Sequence, residues 1–258
     1  MRSNICGVLV ILILLLAGCG GGGSGSSAAF TIQSGNWNFR ATSTTLSGEL
    51  TTFGGSLSQS GSSVSGTVQM LGGNGCIGFG IDIPVSGTVS GQNITLTTAA
   101  ISNVVITINA TGSATAFSGT YQFTGCVAHD LGNVTANLVP SVTGTWSGTF
   151  TSSTAPPLSV TAVLTESSTP DAHGGFPLTG TVSFTGSTCF TSGTVSAGAM
   201  TGATLGLVVA TNEQPNPSQI IISGGLADPT VANNLGGGYI LNLGACATKD
   251  GFGTLTRQ

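Results

Sequence analysis

Val64-Ser65-Gly66-Thr67-Val68 alternates apolar and small polar side chains around a glycine, and its reading decides the fold. Side chains two positions apart share one face of a strand, so the valines point one way and the hydroxyls the other. The alternation returns at Ile94-Thr95-Leu96, Val160-Thr161-Ala162-Val163 and Tyr239-Ile240-Leu241-Asn242-Leu243, between clusters of Gly, Ser and Asn. No segment beyond the N-terminus sustains a 3.6-residue period in good helix formers. The chain is expected to be all-β.

The central Ser-Gly-Thr is itself a repeat. Ser/Thr-Gly-Thr followed by Val, Tyr, Trp or Phe starts at Ser65, Ser86, Ser118, Thr143, Ser147, Thr179 and Ser192. Larger landmarks recur in order: Trp37 precedes Cys76 by 39 residues and Cys126 follows 50 later, while Trp146 precedes Cys189 by 43 and Cys246 follows 57 later. Each second cysteine is trailed by an aspartate, in His129-Asp130 and in Lys249-Asp250. Shared low-complexity composition does not easily place tryptophan, two cysteines and an aspartate in matched order. A tandem duplication does, with halves at 31–140 and 141–258.

Strand candidates in the first half lie near Trp37, Glu49, Ser56, Val64, Val85, Ile94, Val104, Phe117 and Val134, one of them surplus to a set of about eight. Short connections rich in Gly, Ser and Asn favour hairpins and hence an antiparallel meander. Closing that meander removes exposed edges, which a chain poor in charge cannot otherwise protect. The expected fold is two tandem antiparallel meander β-barrels of about eight strands each. The same spacing also permits two Greek-key β-sandwiches.

Charged residues make up 5% of the 258-residue chain, and four basic residues face eight acidic ones, against a usual charged share of about 25%. Nucleic-acid binding needs a basic stripe to neutralise phosphates, so that class is excluded. Attraction to anionic headgroups through protein charge fails for the same reason.

Near the start, Arg2 precedes the aliphatic run Val8 to Leu16, which leads into Leu16-Ala17-Gly18-Cys19. Positive, apolar and small residues in this order make a secretory signal, and the run falls short of the ~20 residues that span a bilayer. The last four residues resemble the lipobox of bacterial lipoproteins. That resemblance implies a signal peptide at 1–18, a lipidated Cys19, and an exported protein held to the membrane by its N-terminal lipid. Gly20 after the cysteine resembles lipoproteins sent to the outer membrane of diderm bacteria. Residues 19–30, nearly all Gly and Ser up to Ser27, then form a flexible tether. In an oxidising compartment the four remaining cysteines imply two disulfides. Three connectivities are open, and duplication favours Cys76–Cys126 with Cys189–Cys246.

Gly35-Asn36-Trp37 and Gly144-Thr145-Trp146 resemble the Gly-x-Trp strand that opens avidin and lipocalin-like barrels. The resemblance implies that Trp37 and Trp146 either line a ligand cavity or plug the barrel. It carries over no particular ligand.

Catalytic groups are sparse. His129 beside Asp130 suggests an acid–base pair, but its counterpart in the second half is read as Lys249, so a turn after the disulfide explains both copies. Asp171-Ala172-His173, with Glu166 nearby, is a two-ligand fragment where metal sites need three or four, and reads better as a solvated loop. There is no Gly-x-Ser-x-Gly elbow, phosphate loop or dinucleotide fingerprint. No catalytic residue, metal or cofactor is therefore expected, and the chain is expected not to be an enzyme. The first expectation is a binding module for a small molecule, glycan or protein. A structural or adhesive surface lipoprotein with solid barrels comes second, and a hydrolase last.

Overall fold

A computed structural model describes residues 30–73, 76–125, 130–244 and 249–258. Cys19 and the 1–18 signal, the tether up to residue 29, Cys126, His129 and Cys246 lie outside the described residues.

The first barrel runs through β1 (Gly35–Ser43), β2 (Leu50–Ser60), β3 (Ser63–Gly72), β4 (Asp82–Ser90), β5 (Asn93–Thr98), β6 (Val105–Gly112), β7 (Ala116–Thr124) and β8 (Leu131–Leu138). The second runs through β9 (Gly144–Thr151), β10 (Leu158–Glu166), β11 (Phe176–Thr185), β12 (Ser192–Thr201), β13 (Thr204–Thr211), β14 (Gln219–Leu226), β15 (Asn234–Asn242) and β16 (Asp250–Arg257). Each strand pairs antiparallel with its sequence neighbour, and each sheet closes on itself, with Phe39 opposite Ala136 and Gly148 opposite Leu255. Two closed eight-stranded meanders in tandem replace the Greek-key alternative. The surplus strand candidate is Glu49. It ends a turn, and Leu50–Ser60 is one long strand whose inner Gly54-Gly55 pair resembles a break in sequence.

The repeated tripeptide shows how the barrels close. The residue after Ser/Thr-Gly-Thr is buried in all seven copies: Val68, Val89, Tyr121, Trp146, Phe150, Val182 and Val195. At the equivalent Gly66 and Gly180, an added Cβ would lie 1.9 Å from the Ser56 carbonyl oxygen and 2.1 Å from that of Val163. Neighbouring strands come too close there for any side chain, which is the bend a small barrel requires. The intervening threonine is exposed in five copies and half-buried at Thr67 and Thr145, and supplies polarity without charge.

The second barrel stands on the flank of the first. The turn joining β12 to β13 presses on β1 and β2: Asn36 donates to the Gly202 carbonyl at 2.9 Å and accepts from the Gly202 N–H at 2.7 Å. Asn38 accepts from the Ala203 N–H at 3.2 Å. Both asparagines are buried although their positions face out of their own barrel. Gly202 has φ of 54°, and an added Cβ would sit 2.9 Å from the Gly54 Cα, so the contact is glycine on glycine. Replacing Asn36 by Ala leaves both Gly202 groups buried and unpaired, at ~1–3 kcal/mol each. Calorimetry is expected to show a lower first midpoint and separate melting of the barrels. An unchanged single transition would show that the clamp contributes nothing.

Candidate functional site

Each barrel has a base and a mouth. The base of the second barrel, where β9 and β11 begin and β10, β12 and β16 end, faces the first barrel. Trp146 is wholly buried there and donates from Nε1 to the Val142 carbonyl at 2.8 Å; Trp37 is placed equivalently and donates to Gln33 O at 3.0 Å. The Arg257 guanidinium lies 5.7 Å from the Trp146 ring centre and donates to the carbonyls of Ser141, Ala232 and Thr143. In the first barrel the residue opposite Trp37 is Leu138, so the cation is particular to the second copy. Glu166 Oε2 accepts the Val142 N–H at 2.7 Å, and burial pushes its carboxyl above the usual range. These contacts bind the linker into the base. Neither tryptophan lines any of the cavities described below.

The interior of the first barrel is filled. Phe39 stacks on Phe53 at 5.0 Å and Trp37 lies 5.2 Å from Phe117. The void bounded by Phe39, Phe53, Val68 and Ile106 is about 10 Å³, no more than one water needs. Its mouth carries a buried polar cluster. Asp130, 1% exposed, accepts from Ser43 Oγ at 2.6 Å, Thr45 Oγ1 at 3.1 Å and the Tyr121 hydroxyl at 3.0 Å. Burial first, then the bond to Asp130, pushes the Tyr121 phenol well above its ordinary value.

The mouth of the second barrel is open. A cavity of about 60 Å³, open to solvent, lies between the β9–β10 turn, the β11–β12 loop and the facing ends of β15 and β16. Leu158, Phe190 and Leu241 form its apolar wall, with Gly186, Ser187 and Thr188 at the rim. Tyr239 and Lys249 supply the large polar groups. Burial, then the charge of Asp250, raises the Tyr239 phenol, so it stays a hydrogen-bond donor at neutral pH. At the same rim Ser218 donates to the buried Glu213.

Strand register makes the two mouths comparable. Tyr121 faces Gly132 and Tyr239 faces Gly251; Phe123 N donates to Asp130 O as Leu241 N donates to Lys249 O, both at 2.7 Å. The equivalent of Asp130 is therefore Lys249, not Asp250, which corrects the sequence alignment. Counting forward from Cys126 and Cys246 hides this because the stretch from the cysteine to the shared glycine, Gly132 or Gly251, is one residue shorter in the second copy. Counting back from the shared glycine reveals it.

Cys76 and Cys189 are each held in a disulfide. They occupy the β3–β4 and β11–β12 loops, equivalent places on the two mouths. Asp171 and His173 lie in an exposed turn, as expected, and that turn also reaches the first barrel. Asp171 Oδ1 accepts the N–H groups of His173 and Gly175, while His173 Nδ1 meets Asp82 Oδ2 of the first barrel at 2.6 Å. Glu166 is turned away from them, and no group of three metal-ligating side chains occurs among the described residues.

The His173–Asp82 bond holds the imidazole above its ordinary value and the carboxylate below its own. The stability it contributes is present below about pH 6.5 and is lost as pH rises through the raised value of His173; it is lost again in acid as Asp82 protonates. With 65% of the His173 side chain exposed, the effect is small. His173→Gln is expected to lower the thermal midpoint slightly at pH 6 and not at pH 9. An equal change at both would show that the ion pair does not act.

No family model matches the chain, and no curated protein does. Among solved structures it is similar to kievitone hydratase from Nectria haematococca, at 10% identity over 90% of this chain and 92% of that one, with a TM-score of 0.24. The expectation that the chain is not an enzyme is corrected by this finding. The matched chain is an enzyme by its name. At this TM-score the likeness assigns no reaction.

Proposed function

We propose that this chain is an exported lipoprotein, held at Cys19 to the cell envelope, whose second barrel binds a small molecule in its mouth. The carrying observation is the apolar cavity walled by Leu158, Phe190 and Leu241, about 60 Å³ and open to solvent, with polar groups at its rim. It opens at the end of the barrel turned away from the clamp, so a tethered body would present it outward. The first barrel, filled and closed by its Asp130 cluster, suits the solid structural role and acts as the mount. The outer membrane is the proposed site in a diderm host. Cys76–Cys126 and Cys189–Cys246 are the proposed bridges, because β3–β4 and β7–β8 connect on one rim of the first barrel, as β11–β12 and β15–β16 do in the second.

Native mass spectrometry of the full chain, extracted in mild detergent from the organism that makes it, tests the reading. The expected spectrum shows a lipid adduct on Cys19 and a further small molecule that dissociates on activation. Ala155→Trp, which places an indole in the cavity from an exposed turn, is expected to lose that molecule and keep the lipid. A molecule retained equally by the variant would overturn the site, and an unmodified Cys19 would overturn the anchor.

A further inference from the structure

We infer that the outer wall of the first barrel, across β5–β8, binds a neutral glycan in an extended conformation. This site is separate from the second mouth and does not rest on the small-molecule reading above.

The second barrel occupies one side of the first, through Asn36, Asn38, Gly54 and Asp82 on β1, β2 and β4. Strands β5–β8 form the other side. Register sets one residue of each strand in a row across that wall: Thr95, Asn109, Thr120, Asn133 and, on β1, Thr42. Hydroxyls and amides thus alternate at the strand spacing of ~4.7–4.9 Å, a step close to one sugar residue of an extended β-1,4-linked chain. Two shallow cavities of about 300 and 410 Å³ flank the row and share Asn109. Gln122 and Leu131 border the first, and Leu131, 44% exposed, offers an apolar surface to the C–H face of a sugar ring.

The wall carries no charge. Between Asp82 and Glu166 the only Asp, Glu, Lys or Arg is the buried Asp130, and Arg40 of β1 lines neither cavity. An ionic ligand finds no counter-charge there, and a protein partner finds no aromatic or aliphatic centre. Side-chain amides and hydroxyls both donate and accept, as sugar hydroxyls do, so the two sets match without ions. Apart from the Thr95–Asn109 bond at 3.3 Å, the side chains of the row make no hydrogen bond among the described residues. The second barrel supplies the internal contrast. At the positions equivalent to this row it has Gly206, Ser223, Gly238, Phe252 and Thr151. Both amides are missing there, so the fold itself does not require them.

The test is isothermal titration calorimetry of the full chain with neutral hexa-N-acetylchitohexaose and anionic hexagalacturonate. The neutral hexasaccharide is expected to bind and the anionic one is not. Asn109→Ala with Asn133→Ala removes both amides of the row and should weaken binding about tenfold or more. Thr120→Arg, which fills the space between them, should abolish it. All three positions are exposed, so the thermal midpoints of these variants should match the parent. Phe252→Ser, at the place of Asn133 in the second barrel, should change nothing. Equal or preferential binding of the anion would overturn the neutral class. No binding, or a double variant that binds as tightly as the parent, would overturn the site. So would loss of the glycan in Ala155→Trp, which would place it in the second mouth.

Discussion

Replacing Trp146 by alanine is expected to destabilise the second barrel by ~3–5 kcal/mol, the range for a large aromatic removed from a packed core. Three losses combine there. The ring is fully buried, its Nε1 bond to Val142 holds the linker, and it seats the Arg257 guanidinium that gathers the carbonyls of Ser141, Ala232 and Thr143. Thermal unfolding should fall by on the order of 10 °C for a chain of this size. Trp146→Phe keeps most of the volume and loses the N–H bond, so it should cost about 1–2 kcal/mol. Trp37→Ala should be nearly as damaging, without the part owed to a cation. A Trp146→Ala chain as stable as the parent would refute the base described here.

The second large effect is expected at Asp130. Asp130→Leu strands the buried hydroxyls of Ser43 and Tyr121 and leaves that of the exposed Thr45 to solvent. At ~1–3 kcal/mol per unsatisfied buried group the loss should be at least about 2 kcal/mol. Adding Tyr121→Phe removes one stranded donor and should recover about 1 kcal/mol, so the double variant is more stable than the single one. Urea denaturation with both variants measures this, and a double variant worse than Asp130→Leu would contradict the network.

How far the sequence carried is clear from these same residues. Period-two alternation and short Gly/Ser/Asn connections were enough for two closed meanders, because a buried sheet face leaves that pattern in any strand. The seven buried residues after Ser/Thr-Gly-Thr belong to the same legible class. The site was not legible. Gly-x-Trp directed attention to Trp37 and Trp146, whereas the cavity opens at the opposite end, where Leu158, Phe190 and Leu241 meet from three separate hairpins. Their convergence depends on barrel register, and no local motif records it. The exchange of Asp130 for Lys249 was hidden by a one-residue difference in connection length. Nothing in β1 marks Asn36 and Asn38 for burial, since cover by a second barrel has no signature in the strand itself. His173 likewise gains its partner from 91 positions away.

The central claim is that the second mouth holds the ligand. A crystal structure of the processed full chain with 1-anilinonaphthalene-8-sulfonate tests it most directly. The expected density places the probe in the second mouth, against Leu158 and Phe190. Density only on the exposed Ile240–Phe252 face or against the first barrel, with the second mouth empty, would contradict it.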